Sequence, residues 1–161
     1  MKNFIFLSAM LLCFTSCTNV LFVDPQPEGI GELTEIPENL QGVYAYTDSI
    51  TVTSNTINGE VLGENLVVKK RGNFYYLNFL EDSVYSLTVV KVVKCLDYED
   101  FAIFHPKISD DNKDIFNVVE VKSKTYGTVD SREYIVDDVS VVQLNKMLSK
   151  DEDDVNFIRI K

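Results

Sequence analysis

The chain has 161 residues, 45% of them hydrophobic, with a formal net charge of −10, one histidine, three cysteines and no tryptophan. That length carries one domain with a real core, and its acidity repels phosphate backbones, which argues against nucleic-acid binding. A single histidine, His105, excludes a His-rich metal cage or a pair of catalytic imidazoles.

The first element in chain order is a secretory signal. Lys2 supplies the positive start, Phe4 to Phe14 supply eleven mainly apolar residues, and Thr15-Ser16 place small side chains ahead of Cys17. Eleven residues suit a signal h-region and fall short of the ~20 that a membrane-spanning helix needs. Phe14-Thr15-Ser16-Cys17 resembles a bacterial lipobox. The resemblance implies cleavage before Cys17, diacylation of its sulfur and acylation of the new amino terminus. Cys13 is the poorer candidate, because Leu11-Leu12 ahead of it are bulky. Removing residues 1–16 leaves 145 of the 161 and takes Lys2 with them, moving the net charge from −10 to −11. With so acidic a body, acyl chains and not a basic patch must make the membrane attachment, and two or three chains hold a protein firmly where one does not. Cys95 is then the one free thiol; it lies in the apolar run Val92 to Leu96 and reads as a buried, inert side chain.

Residues 17–38 read as a lipidated tether. Pro25, Pro27, Pro37, Gly29 and Gly31 fall there with no sustained period, and a coil of that length spans ~25 Å. Within it, Val20-Leu21-Phe22-Val23 is apolar and can pack on the domain or dip into the interface. The globular domain is expected over 39–161.

From Leu40 onward, β-rich runs alternate with turn signals: Val43 to Thr47, Ile50 to Thr56, Glu64 to Lys70, Asn73 to Leu80, Ser83 to Leu96 and Phe101 to His105. Asn58-Gly59 and Gly72-Asn73 suit hairpin turns, since Gly and Asn tolerate positive φ. Strands joined this tightly are antiparallel neighbours. Two helices are expected afterwards. Asp110 or Asp111 caps one running to about Val119; Asp137-Asp138 precede another over Val139 to Lys150, with Lys146 and Lys150 suiting its C-terminal dipole. Strands at Glu120 to Thr125 and Arg132 to Val136, joined around Gly127, lie between them. Asp151 to Asp154 end the second helix, and Val155 to Lys161 alternates as a closing strand. The fold class is therefore mainly β (α+β): an antiparallel meander or barrel-like sheet with two short helices, behind a signal peptide and tether.

No catalytic signature occurs: there is no G-x-S-x-G elbow, H-E-x-x-H helix, C-x-x-C pair or Gly-rich phosphate loop. Asp110-x-Asn112-x-Asp114 opens like a calcium loop, but Ile115 and Val121 stand where glycine and a bidentate Glu are needed. No catalytic residue, metal ligand or cofactor is assigned, and the protein is not expected to be an enzyme. Aromatic residues offer the remaining lead: Tyr44, Tyr46, Phe74, Tyr75, Tyr76, Phe79, Tyr85 and Phe101 lie on neighbouring strands. Period two sends Phe74 and Tyr76 to one face and Tyr75, Leu77 and Phe79 to the other, as in a sheet covered on both sides or a closed barrel. They are expected to fill the interior, leaving no room for a ligand of ~300 Å³ or more.

Ile36-Pro37-Glu38-Asn39-Leu40-Gln41-Gly42-Val43-Tyr44, Asn65 to Lys70, Gly72 to Asn78, and Tyr134 to Asp138 leading into Gln143 to Leu148 resemble small lipoproteins of Bacteroidetes. The resemblance implies a lipid-anchored envelope protein and brings no activity with it. Acidic residues after the lipidated cysteine accompany surface export in that phylum; Thr18-Asn19-Val20-Leu21 lacks them, implying an outer-membrane anchor facing the periplasm. Leu40-x-Gly42-x-Tyr44, and a helix followed by a last strand, are also similar to lipocalins, although the tryptophan of their opening motif is absent. The leading expectation is a non-enzymatic binding or accessory module with an unknown protein partner. The alternative is a lipocalin-like carrier of a small apolar ligand.

Overall fold

The computed structural model describes residues 18–45, 49–94, 99–109, 112–126, 129–148 and 158–159. The signal segment, Cys13, Cys17, Cys95, Gly127 and the Asp151 to Asp154 run lie outside the described residues. The fold is mainly β, with two sheets and, among the described residues, one α-helix.

The larger sheet is built on a meander. β6 (Leu66–Arg71), β7 (Phe74–Glu81), β8 (Val84–Lys94) and β9 (Glu99–Phe104) pair antiparallel in succession. Gly72 (φ 62) and Asp82 (φ 59) supply the positive dihedrals of the two tight turns. Strands β10 (Asn117–Tyr126) and β11 (Val129–Asp137) form a second antiparallel hairpin.

What joins these two pieces is β1 (Thr18–Phe22), parallel to β11 and antiparallel to β8. Within the stretch 17–38, expected as a tether, residues 18–22 form an internal strand, and Phe22 and Val20 are buried. Val20 and Phe22 bury on a sheet that would otherwise expose the edges of β8 and β11. The Pro- and Gly-containing segment that follows is a strap. It crosses one face of β6–β7 and pairs Glu32 with Lys69 at the β6 edge. Ile36 N–H then donates to the Ser54 carbonyl at 2.7 Å on the other face. Prolines exclude it from a regular ladder without preventing such point attachments.

The smaller sheet packs over that second face. It runs in the order β12 (Ile158–Arg159), β2 (Gly42–Ala45), β3 (Ser49–Val52), β4 (Thr56–Ile57), β5 (Glu60–Val61). The β4–β5 turn is Asn58-Gly59, with φ 50 and 91 as such hairpins require. The sheets do not close, so the barrel-like form is corrected to two layers.

Both faces of the larger sheet carry a core. Tyr76, Leu87, Val89 and Tyr134 face one way, with Val20 and Phe22, against α1 (Val141–Leu148), Ile108 and Phe116. Tyr75, Leu66, Val68 and Val92 face the other, against Ile36, Tyr44 and Ile57.

The helical expectations are corrected in two places. Instead of a helix reaching Val119, only a 3-10 turn forms at Lys113–Ile115, and β10 begins at Asn117. β-Branched Val118, Val119 and Val121 suit a strand, and β11 is there to pair with it. A bulge between Val118 and Glu120 absorbs one residue. The later helix starts at Val141 and is capped by Ser140, not by Asp137-Asp138: Gln143 N–H donates to Ser140 Oγ at 3.3 Å, and Ser140 N–H to Gln143 Oε1 at 3.0 Å. Val139 and Leu144, both buried, occupy the positions of a hydrophobic staple around that cap.

Candidate functional site

Between the two sheets lies a cleft of about 460 Å³ with almost wholly apolar walls. Its floor is the second face of β7, β8 and β9, where the two-residue period presents Tyr75, Leu77, Phe79, Thr88, Val90, Phe101 and Ile103. Its roof is the smaller sheet, through Tyr44, Ile50, Val52 and Ile57.

One end is closed. Tyr44, Tyr75 and Phe101 are buried there, and the Tyr44 and Phe101 rings meet edge to face at 5.5 Å and 88°. Tyr44 Oη donates to the Leu40 carbonyl at 2.8 Å, which fixes the ring and keeps its polar end out of the apolar interior. Towards the other end Leu77 and Phe79 are only half-buried, and the polar residues collect: Thr88, His105, Asn58 and Glu60. Glu60 accepts a hydrogen bond from the Asn65 amide, and Asn58 Oδ1 accepts one from Thr51 N–H at 2.8 Å, so the hairpin overhanging the mouth is braced at both sides.

The period-two separation of the aromatic residues holds: Phe74 and Tyr76 face the first core, Tyr75 and Phe79 the second. Tyr44, Tyr75, Tyr76 and Phe101 take buried core positions, whereas the expectation that the aromatic residues leave no room for a ligand is corrected by the cleft. The smaller sheet meets the larger at Tyr44–Phe101, while Leu77 and Phe79, further along β7, are half-buried and border the cleft. His105 stands at the mouth of this cleft, exposed. Asp110 and Asp111 lie outside the described residues, while Asn112 Oδ1 accepts from Ser109 N–H at 2.8 Å, a local turn. Tyr46 is also outside the described residues. Sequence reasoning passed over Leu40, Ile50, Val52 and Ile103 as lining residues. The one signal was Thr88, a polar residue on the same face as Val90 and Val92.

A second hollow, about 760 Å³, is lined by Lys70, Gly72, Asn73 and Lys91 at the β6–β7 hairpin. It is half polar, and Lys70 and Lys91 lie over the Tyr75 and Phe74 rings at 5.1 and 5.6 Å, the arrangement of a solvated hairpin end. The inter-sheet cleft is the better candidate, because apolar walls converge there around few polar groups. Among the described residues no group of three or more His, Cys, Asp or Glu could hold a metal ion, and no helix is long and apolar enough to cross a membrane.

No family model matches the chain, and neither a curated protein nor a solved structure matches it.

Proposed function

We propose that this protein is a non-enzymatic binding module of the bacterial cell envelope that takes a small apolar ligand into the cleft between its sheets, and that a lipid on Cys17 holds it to the membrane. The observation that carries the reading is the cleft itself: about 460 Å³, apolar throughout its closed end, with polar groups at its mouth. Pockets of ~300–1,000 Å³ with such a lining accommodate drug-sized ligands. The anchor is supported by the short h-region and the small residues before Cys17.

The test is a titration with cis-parinaric acid, a polyene fatty acid whose emission rises in apolar surroundings. The chain from residue 17 onward, carrying Cys17→Ser, retains every described residue. Saturation at one probe per chain is expected, and Ile103→Glu should weaken it by ~10-fold or more by placing a carboxylate in an apolar wall. Val119→Glu, on the exposed outer strand β10, should leave binding unchanged. Non-saturable emission, or equal binding by Ile103→Glu, rejects the proposal. Incorporation of labelled palmitate by the wild type, but not by full-length Cys17→Ser, checks the anchor.

A further inference from the structure

The mouth of the cleft and the point where the chain enters the sheet are neighbours. One edge of β8 is divided between two strands: Tyr85 and Ser86 pair with Phe22 and Leu21 of β1, whereas Val89 to Lys94 pair with β9, whose last residue, Phe104, meets Val89. Both strands run antiparallel to β8 along this edge, so the end of β9 abuts the start of β1. The β1–β8 pairing ends at Leu21–Ser86 and the β9–β8 pairing at Phe104–Val89, so only Leu87 and Thr88 of β8 separate the two along this edge. Thr88 and His105, the residue after β9, are the cleft residues at that corner.

Thr18 already pairs with Arg132 of β11. Cys17 is its covalent neighbour, and consecutive Cα atoms are about 3.8 Å apart whatever the local conformation. One peptide bond thus separates the proposed lipid site from the first described residue of β1. Such an attachment holds the mouth at the headgroup layer, which an acidic body would not reach by its own electrostatics.

Resting on the binding and anchoring just proposed, we infer that the ligand is an acyl chain of a phospholipid in the same bilayer that holds Cys17. The apolar interior takes the chain, while Thr88, His105, Asn58 and Glu60 remain with the polar headgroup. At about 460 Å³ the cleft suits one chain of a lipid more than the whole molecule.

The experiment uses the full lipidated chain in phosphatidylethanolamine/phosphatidylglycerol vesicles that carry a phospholipid with a diazirine on one acyl chain. After irradiation, adducts are mapped by mass spectrometry and are expected on Leu77, Phe79, Val90 or Ile103. A Gly/Ser insertion of about 12 residues between Cys17 and Thr18 adds ~20 Å of slack. It should lower labelling from vesicles by roughly fivefold or more, since the effective concentration of bilayer at the mouth falls. Diazirine-palmitate added free in solution should label both proteins equally, which also shows that the inserted protein is folded. Equal labelling from vesicles with and without the insertion, or adducts only outside the cleft, overturns the bilayer as source while leaving apolar binding intact. Failure of free palmitate to label either protein overturns both readings.

Discussion

Asn78 is fully buried, and its carboxamide exchanges two hydrogen bonds with the Gln26 backbone: Gln26 N–H donates to Oδ1 at 2.7 Å, and Nδ2 donates to the Gln26 carbonyl at 2.8 Å. Beside it, Lys69 Nζ donates to the Pro25 and Pro27 carbonyls at 2.7 and 3.1 Å. Two side chains thus replace the ladder that a proline-rich strap cannot form. Asn78→Leu leaves both Gln26 groups unpaired, and at ~1–3 kcal/mol for each the expected loss is about 2–6 kcal/mol in urea unfolding. Burial pushes the Lys69 ammonium below its ordinary 10.5, against the opposing pull of Glu32, Asp24 and Glu28. Just below pH 10.5 the unfolded chain therefore holds a proton that the native state has released, and stability rises with pH. Tyr76, opposite Lys69 in the β6–β7 register, is raised above 10.0 by burial, with Arg71 opposing, so its native state keeps a proton longer and stability falls above that pH. Unfolding measured across the alkaline range should show Lys69→Met losing the rise and Tyr76→Phe losing the fall.

At the scale of the element, β1 decides whether the larger sheet is one object. Without it, β10–β11 and the β6–β9 meander share no strand pairing among the described residues. Phe22 is completely buried, and Phe22→Ala should cost about 3–5 kcal/mol in thermal unfolding. A chain beginning at Asn39 should not give the cooperative melting of the full protein; an unchanged transition would show that β1 is dispensable. The apolar character of Val20 to Val23 was legible in the sequence, but its role was not. Its parallel partner, Arg132 to Val136, lies more than a hundred residues away, and neither period nor turn residues encode so distant a pairing. β10 failed to be legible for a related reason: Ile115, Val118 and Val119 satisfy a helical spacing as well as a strand, and only the neighbouring β11 selects the strand. The helix at Val141–Leu148 needed no such help, because Ser140 and Gln143 cap it within its own first turn.

For the molecule as a whole, the two faces of one sheet have different fates. The first is sealed by α1, with Leu144 and Met147 at most 1% exposed. The second is sealed only at one end, and its other end borders the cleft. Truncations should report this difference. Phe79→Ala removes a half-buried side chain that already faces a gap and forfeits fewer contacts, so about 1–2 kcal/mol is expected, less than for Phe22→Ala. A loss at Phe79 as large as at Phe22, read from the same melting curves, would mean that the cleft is closed in solution.

The meander strands, the turns at Asn58-Gly59 and Gly72, and the division of Tyr75 and Tyr76 between faces were determined by the sequence alone, since each depends on dihedral preference and period over a few residues. The insertion of β1, the choice of strand at β10 and the strap around β6 belong to the tertiary structure, because they satisfy edges and backbone groups supplied by distant segments. So does the cleft. A strand's pattern states which side chains face inward, but how closely a second sheet approaches them is set by where that sheet touches down, here at Tyr44 on Phe101.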